Sequence, residues 1–149
     1  MDALSIALIL GGLIAVSTVA GLVLRAREGR LTHVKNLTRV DSAEFGTGVH
    51  FGPTATLLQF STEFCTKCPG TRAYLGSVAS QYPGVDHVEV DITNRQDLAN
   101  KYKIMQTPTT FILDDTGAVA ARIGGAPRPE AVTAALSIAL KKDHDSYVI

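Results

Sequence analysis

The stretch that most constrains the fold of this chain is a Cys-x-x-Cys motif placed directly after an apolar run. Residues 54–60 form a near-continuous apolar run of strand length, which is typical of a central strand covered on both faces. Cys65 and Cys68 follow it, and apolar residues then recur at helical spacing. These are the only two cysteines of the chain, so no other intrachain disulfide can form. Two thiols at the start of a helix suit reversible disulfide chemistry, because free N–H groups and the positive dipole end stabilise a thiolate.

A metal site, or a pair of inert buried cysteines, is the alternative interpretation of this motif. A structural zinc site takes four ligands. The other candidate ligands are the four histidines, of which no two stand at a paired spacing: His33, His50, His87 and His144. The pattern around the cysteines favours redox chemistry, and the sequence predicts neither a metal nor a cofactor.

Four features in a fixed order extend this pattern over residues 40–142. They are the strand into the cysteine motif, the strand Val88–Asp91, the Thr107-Pro108-Thr109 segment before an apolar strand at 110–113, and Gly117 with Gly124-Gly125 before a last helix. In this order the chain resembles the thioredoxin superfamily. The resemblance implies an α/β thioredoxin-like fold, in which helices flank a mixed central sheet.

The resemblance also implies roles around the two cysteines. Pro108 would be a cis proline that faces them, and a cis proline is rare enough to be a deliberate feature. Thr107 would present its backbone to a bound peptide, with Gly124 nearby. Phe64 stands where the family usually has tryptophan, and Thr66-Lys67 replaces the Gly-Pro between the cysteines of thioredoxins.

The spacing of the two cysteines assigns their roles. Cys65, at the start of the helix, is the attacking thiol, and Cys68, one turn in, is the resolving thiol. Lys67 is either a cation that favours the thiolate of Cys65 or a solvated surface lysine. Gln59 stands where thioredoxins have a buried aspartate, and it cannot act as a base. Glu63 or a water molecule is the alternative proton acceptor for Cys68.

The elements after the cysteines follow from spacing and turn residues. We expect a helix ending at Pro83-Gly84, strands at 85–91 and 110–113, a hairpin at 114–117 and a return strand at 118–123. A short helix over 95–102 would be capped by Thr93 or Asn94. A last helix opens at 128–130, and residues 143–149 form a tail. At the other end, 38–40 is a poorly patterned first strand, and 41–53 is a loop.

The N-terminal segment is a candidate membrane span. Ala3 to Leu24 contains no charged residue over 22 positions, and a helix needs about 20 apolar residues to cross the hydrocarbon core. The alternatives are a buried core helix and a signal peptide cleaved after Thr18-Val19-Ala20. The predicted organisation is a transmembrane helix at 1–25, a basic juxtamembrane linker at 26–39, a thioredoxin-like domain at 40–142 and the tail.

The charges that flank the span predict its orientation. Basic residues follow it, and only Asp2 precedes it: Arg25, Arg27, Arg30, Lys35 and Arg39. Because basic flanks stay cytoplasmic, we expect an outside N-terminus and a cytoplasmic domain in a single-pass membrane protein. The linker is a stop-transfer flank, or alternatively a contact for anionic lipid headgroups.

The sequence therefore predicts a membrane-anchored thiol–disulfide oxidoreductase that exchanges disulfides with protein partners. We expect a cytoplasmic reductase, with thioredoxin reductase as one candidate reductant. An outward-facing oxidase, isomerase or cytochrome-maturation protein is the first alternative. A non-enzymatic sulfur-carrying, partner-binding or structural module is the second. The formal net charge of zero does not indicate a nucleic-acid partner.

Overall fold

A computed structural model describes residues 2–32 and 39–145 of the chain. A long N-terminal helix is followed by a five-stranded sheet and three further helices. In chain order the elements are α1 Ala3–Arg27, β1 Leu31–Thr32, a 3₁₀ turn Ser42–Phe45, β2 Ala55–Ser61, α2 Cys68–Ala79, β3 Val85–Asp91, α3 Gln96–Lys101, β4 Thr109–Asp114, β5 Val119–Gly124 and α4 Pro129–Asp145.

The five strands form one mixed sheet in the order β1-β5-β4-β2-β3. β2 runs parallel to β3 and antiparallel to β4, while β5 is antiparallel to both β4 and β1. All seven residues of β2 are buried, which confirms the prediction of a central strand covered on both faces. The predicted mixed sheet with flanking helices is likewise confirmed.

Two apolar clusters cover the two faces of the sheet. Because successive side chains of a strand point to opposite faces, Leu57 of β2 joins one cluster and Phe60 joins the other. The first cluster holds Leu75 of α2 and Leu136 of α4, and the second holds Leu98 of α3. The cysteine motif thus begins at the end of a strand that is fixed from both sides.

Helix α1 lies outside this domain. It is the one helix among residues 2–32 and 39–145 whose length and apolar composition would allow it to cross a membrane, and its span Leu4–Arg27 is 0% buried. This exposure excludes the buried-core alternative. A signal sequence at the N-terminus would have the same length and apolar composition as a membrane span. The helix ends at Arg27 rather than at the predicted residue 25.

The predicted linker over 26–39 is wrong in its first half. Leu31 and Thr32 form β1 and pair with Ile123 and Arg122 of β5. A strand of two residues is too short to show a period of two, so the sequence pattern could not reveal it. The predicted first strand at 38–40 is reduced to a single bridge between Arg39 and Ala118. Its residue 38 and the rest of 33–38 lie outside the described residues.

Two boundary predictions also differ from the structure. The N-cap of α3 is Arg95, and no side chain caps this helix. Thr93, a predicted cap, instead bonds Asp91 and accepts the N–H of Glu63, so its hydroxyl is already engaged. Helix α4 continues to Asp145, past the predicted start of the tail, because nothing at 143 breaks a helix. Residues 146–149 lie outside the described part.

Candidate active site

Cys65 and Cys68 lie in the turn between β2 and α2 and form a disulfide with their Cα atoms 5.4 Å apart. Cys65 is half-buried in the turn, whereas Cys68 is only 3% exposed. Cys68 is the first residue of α2, and its N–H bonds the carbonyl of Cys65 at 3.3 Å. The prediction that the helix starts at Cys65 is therefore wrong by three residues. Pro69, which favours the first helical turn, explains the later start.

The Thr107–Pro108 loop packs beside the cysteine turn. The Thr107–Pro108 peptide bond is cis, and the hydroxyl oxygens of Thr107 and Thr62 lie 3.1 Å apart. The carbonyl of Pro108 accepts the N–H of Gly125 at 2.8 Å. A Cβ on Gly124 would stand 2.4 Å from Nε2 of Gln106. The cysteine turn, the proline loop and the end of β5 therefore form one continuous surface.

Two exposed apolar side chains stand on this surface. Phe64 is 83% exposed and Met105 is 89% exposed, and among the described residues after α1 they are the large apolar side chains left open to solvent. Thr66 is also exposed. Exposed apolar groups around a reactive sulfur suit contact with another protein chain.

Lys67 is an exposed lysine that is paired with a carboxylate. Its Nζ lies 2.6 Å from Oε1 of Glu28, the residue that follows α1. Both side chains are partly exposed, at 53% and 35%. The carboxylate offsets part of the positive field that Lys67 would otherwise exert on the neighbouring cysteines.

Gln59 lies beneath the disulfide with 0% exposure. Its Nε2 donates to the carbonyl of Cys68 at 3.2 Å and to Oε1 of Glu89 at 3.4 Å. Its Oε1 lies 3.1 Å from Nε2 of His87, which is therefore the donor in this pair. Gln59 thus holds the first residue of α2 to the sheet and is fully engaged in doing so.

A polar cavity of about 240 Å³ opens beside Cys68. Its lining includes both cysteines, three carboxylates and one guanidinium: Cys65, Cys68, Glu63, Glu89, Asp91 and Arg72. Arg72 donates from Nε to Oε2 of Glu89. Because both Glu63 and Glu89 line this cavity, Glu63 is not the sole carboxylate near Cys68.

Burial lowers the pKa of His87 below its usual value of 6.5. The negative charge of Glu89 opposes this shift, and the positive charge of Arg72 adds to it. Burial thus favours the neutral form of the ring. Among the residues whose side chains the structure describes, up to residue 141, no three His, Cys, Asp or Glu side chains cluster as metal ligands would.

The structure brings all the predicted site residues to one face and adds five that sequence reasoning did not select as site residues. The added residues are Glu28, Arg72, His87, Glu89 and Gln106. His87 and Glu89 stand two apart on β3, so the period of two places them on one face beside Gln59. Glu28 is the one acid among the basic residues that follow α1, which was a usable signal.

This arrangement provides one accessible sulfur, one buried sulfur and an open polar cavity between them and the carboxylates. Cys65 is more accessible to an incoming sulfur nucleophile than Cys68, which is only 3% exposed. Thiol–disulfide exchange proceeds through such an attack and a mixed disulfide. The geometry therefore supports an ordered exchange in which Cys65 carries the partner and Cys68 releases it.

Comparison with known proteins gives consistent results. Residues 36–137 match the family model described as Thioredoxin. Thioredoxin C-2 of Corynebacterium nephridii is 34% identical over 76 residues, which are 50% of this chain and 70% of that protein. An H-type thioredoxin of Fagopyrum esculentum is 30% identical over 74 residues, which are 50% of this chain and 63% of that protein.

Solved structures show the same fold. Thioredoxin of Fasciola hepatica superposes with a TM-score of 0.50 at 20% identity, covering 59% of this chain and 83% of that one. A mutant thioredoxin of Halobacterium salinarum gives a TM-score of 0.51 at 20% identity, covering 58% of this chain and 75% of that one. These matches cover between 50% and 59% of this chain.

Proposed function

Because this chain belongs to the thioredoxin family, we propose that it is a membrane-anchored thiol–disulfide oxidoreductase, acting as a reductase of protein disulfides on the cytoplasmic face. The observation that carries the proposal is the pairing of a half-buried Cys65 with a covered Cys68, beside a cis proline. This pairing supplies both an attacking and a resolving sulfur. The family relationship supports thiol–disulfide exchange as the chemistry.

The reaction consists of two exchanges. The thiolate of reduced Cys65 attacks a disulfide of the partner, one partner sulfur leaves as a thiolate that takes up a proton, and a mixed disulfide forms. Cys68 then loses its proton and attacks the sulfur of Cys65. The partner leaves as a dithiol, and the Cys65–Cys68 disulfide is left. Two electrons have passed to the partner, and a reductant such as thioredoxin reductase returns them.

The surrounding residues hold the partner segment. Thr107 would offer its backbone to an extended peptide, and Pro108 and Gly124 would form the wall against which it lies. Phe64 and Thr66 would border the sulfur on the other side. The exposure of Phe64 and the contact between Thr62 and Thr107 support these roles.

The proposed anchor is α1. Its 22 uncharged positions from Ala3 to Leu24 suffice for a span. Arg25, Arg27 and Arg30 at its end support a cytoplasmic domain. A tag placed after Ile149 would be accessible to protease only in permeabilised cells if this orientation is right. Accessibility in intact cells would instead place the domain outside.

The chemistry is tested by two serine variants of the full chain. We expect Cys65→Ser to abolish exchange, and Cys68→Ser to accumulate mixed disulfides that non-reducing electrophoresis resolves. Full activity of Cys65→Ser would refute the assignment of roles. Absence of mixed disulfides with Cys68→Ser, while the wild type reduces the same partner, would refute the resolving role.

A further inference from the structure

The end of the N-terminal helix is built into the active-site face. Glu28, the residue directly after α1, forms the ion pair with Lys67 between the two cysteines. A crevice of about 720 Å³ is lined by the last turn of α1 together with site residues: Leu24, Arg25, Arg27, Glu28, Lys67 and Gln106. The helix therefore ends beside the disulfide.

Helix α1 is joined to the domain without a flexible linker. The N–H of Gly29 bonds the carbonyl of Gly124 at 2.8 Å, and Arg128 donates to the carbonyl of Ala26 at 3.4 Å. β1 then begins at Leu31. Gly29 is buried with φ +73°, and a Cβ there would lie 2.4 Å from the carbonyl oxygen of Ala126. The chain leaves the helix and joins the sheet within a few residues.

We propose that the active site is pinned at the bilayer surface, and that its partners are membrane-anchored proteins whose reactive cysteines lie beside the bilayer. This inference rests on the proposed membrane anchoring and exchange chemistry. It adds a substrate class, because the fixed attachment decides which disulfides Cys65 can reach.

The reach of the site follows from helix geometry. If the hydrocarbon ends near Leu24, Glu28 stands about 6 Å above it at 1.5 Å per residue, within a headgroup layer of roughly 5–8 Å per leaflet. Lys67 contacts Glu28, and Cys65 is two residues from Lys67, at most about 7 Å along the chain. With the lengths of the paired Glu28 and Lys67 side chains included, the sulfur of Cys65 lies at most about 30 Å from the hydrocarbon.

A flexible tether would remove this restriction. A Gly/Ser linker of about 20 residues has a root-mean-square span of roughly 25 Å and would let the domain turn and rise. The attachment at Gly29 and β1 prevents such movement. Disulfides on a soluble domain that stands far from the membrane are consequently out of reach.

The test uses the full chain in vesicles with two single-span substrates that carry the same disulfide loop. In the near substrate the loop follows the span by about four residues, and in the far substrate a helical spacer of about 35 residues raises it by about 50 Å. We expect the near substrate to be reduced on the order of tenfold faster than the far substrate. Only in the near substrate does the disulfide lie at the same height above the membrane as Cys65.

The matched control inserts a Gly/Ser linker of about 20 residues between Arg27 and Glu28, which frees α1 and leaves Glu28 beside Lys67 and Gly29 beside Gly124. We expect this variant to reduce the far substrate faster than the wild type does, so that the preference for the near substrate becomes smaller. Gly29→Ala should also reduce the preference for the near substrate, because the added Cβ would displace the chain from Ala126.

Equal rates on the near and far substrates in the wild type would overturn the inference. A near preference that is as large after the linker insertion as before it would overturn the inference too, since the rigid attachment would then not be its cause. A small soluble disulfide serves as an independent check of chemistry. Failure to reduce that compound would instead refute the proposed function.

Discussion

Replacing Gln59 with methionine tests whether this residue holds the active-site helix to the sheet. Methionine is similar in length and is unbranched, but it cannot make the three hydrogen bonds of Gln59 to Cys68, Glu89 and His87. Each such bond contributes about 0.5–1.5 kcal/mol net. The apolar side chain of methionine offsets part of the loss, so we expect the free energy of unfolding to fall by about 1–3 kcal/mol.

Thermal unfolding of the oxidised full chain in detergent measures this effect. A domain of about 100 residues loses about 4–8 °C per kcal/mol, so the melting temperature should fall by roughly 4–24 °C. Gln96→Met is the matched control, because Gln96 is exposed at the start of α3 and should change stability by less than about 0.5 kcal/mol. Equal melting temperatures for Gln59→Met and Gln96→Met would refute the reasoning.

Three further predictions concern the surroundings of the site and the core. Burial depresses the pKa of His87, so its neutral form stabilises the fold above pH 6.5, and stability should fall as pH decreases from there toward the folded-state pKa. Melting curves from pH 7.5 to 5 should show this slope in the wild type and a weaker one in His87→Gln; identical slopes would contradict it. Glu28→Gln leaves Lys67 unpaired beside Cys65, which should make the disulfide more oxidising by at most about 20 mV, because an exposed ion pair contributes at most about 1 kcal/mol. Equilibration with glutathione measures the potential, and a shift to a more negative value would count against the ion pair. Leu57 is 0% exposed, so Leu57→Ala should lower the unfolding free energy by about 2–5 kcal/mol in urea titrations, whereas a loss under about 1 kcal/mol would show that the site collapses without a cavity.

The elements that the sequence predicted well carry strong local signals. The apolar run before the cysteines is as long as β2, and the strand at 85–91 matches β3 residue for residue. The hairpin turn at 114–117 separates β4 from β5 as expected. In each case composition and period over a few residues suffice, because neighbouring turns mark the ends.

The features that were missed depend on contacts distant in sequence. Glu28 and Lys67 are 39 residues apart, and neither residue alone indicates a pair. β1 exists because Leu31 and Thr32 meet the free edge of β5, not because two residues prefer a strand. Arg95 begins α3 without a side-chain cap, since the hydroxyl of Thr93 is taken by other groups.

The active site likewise combines features that local sequence predicts with features that depend on contacts distant in sequence. The positions of Cys65, Cys68, Thr107 and Pro108 were found from their spacing and order. The structural role of Gln59 was not predicted, because it depends on His87 and Glu89 of the adjacent strand β3. Sequence indicated that Gln59 cannot act as a base; only the fold shows that it binds the carbonyl of Cys68.

The most direct test of the central claim is the reduction potential of the Cys65–Cys68 pair in the full chain, measured in detergent against a glutathione or thioredoxin couple. A reductase of protein disulfides should give a value near about −270 mV. A value above about −180 mV would contradict the reductase and would indicate an oxidant or isomerase. If the pair formed no disulfide at any redox potential of the buffer, thiol–disulfide exchange itself would be refuted.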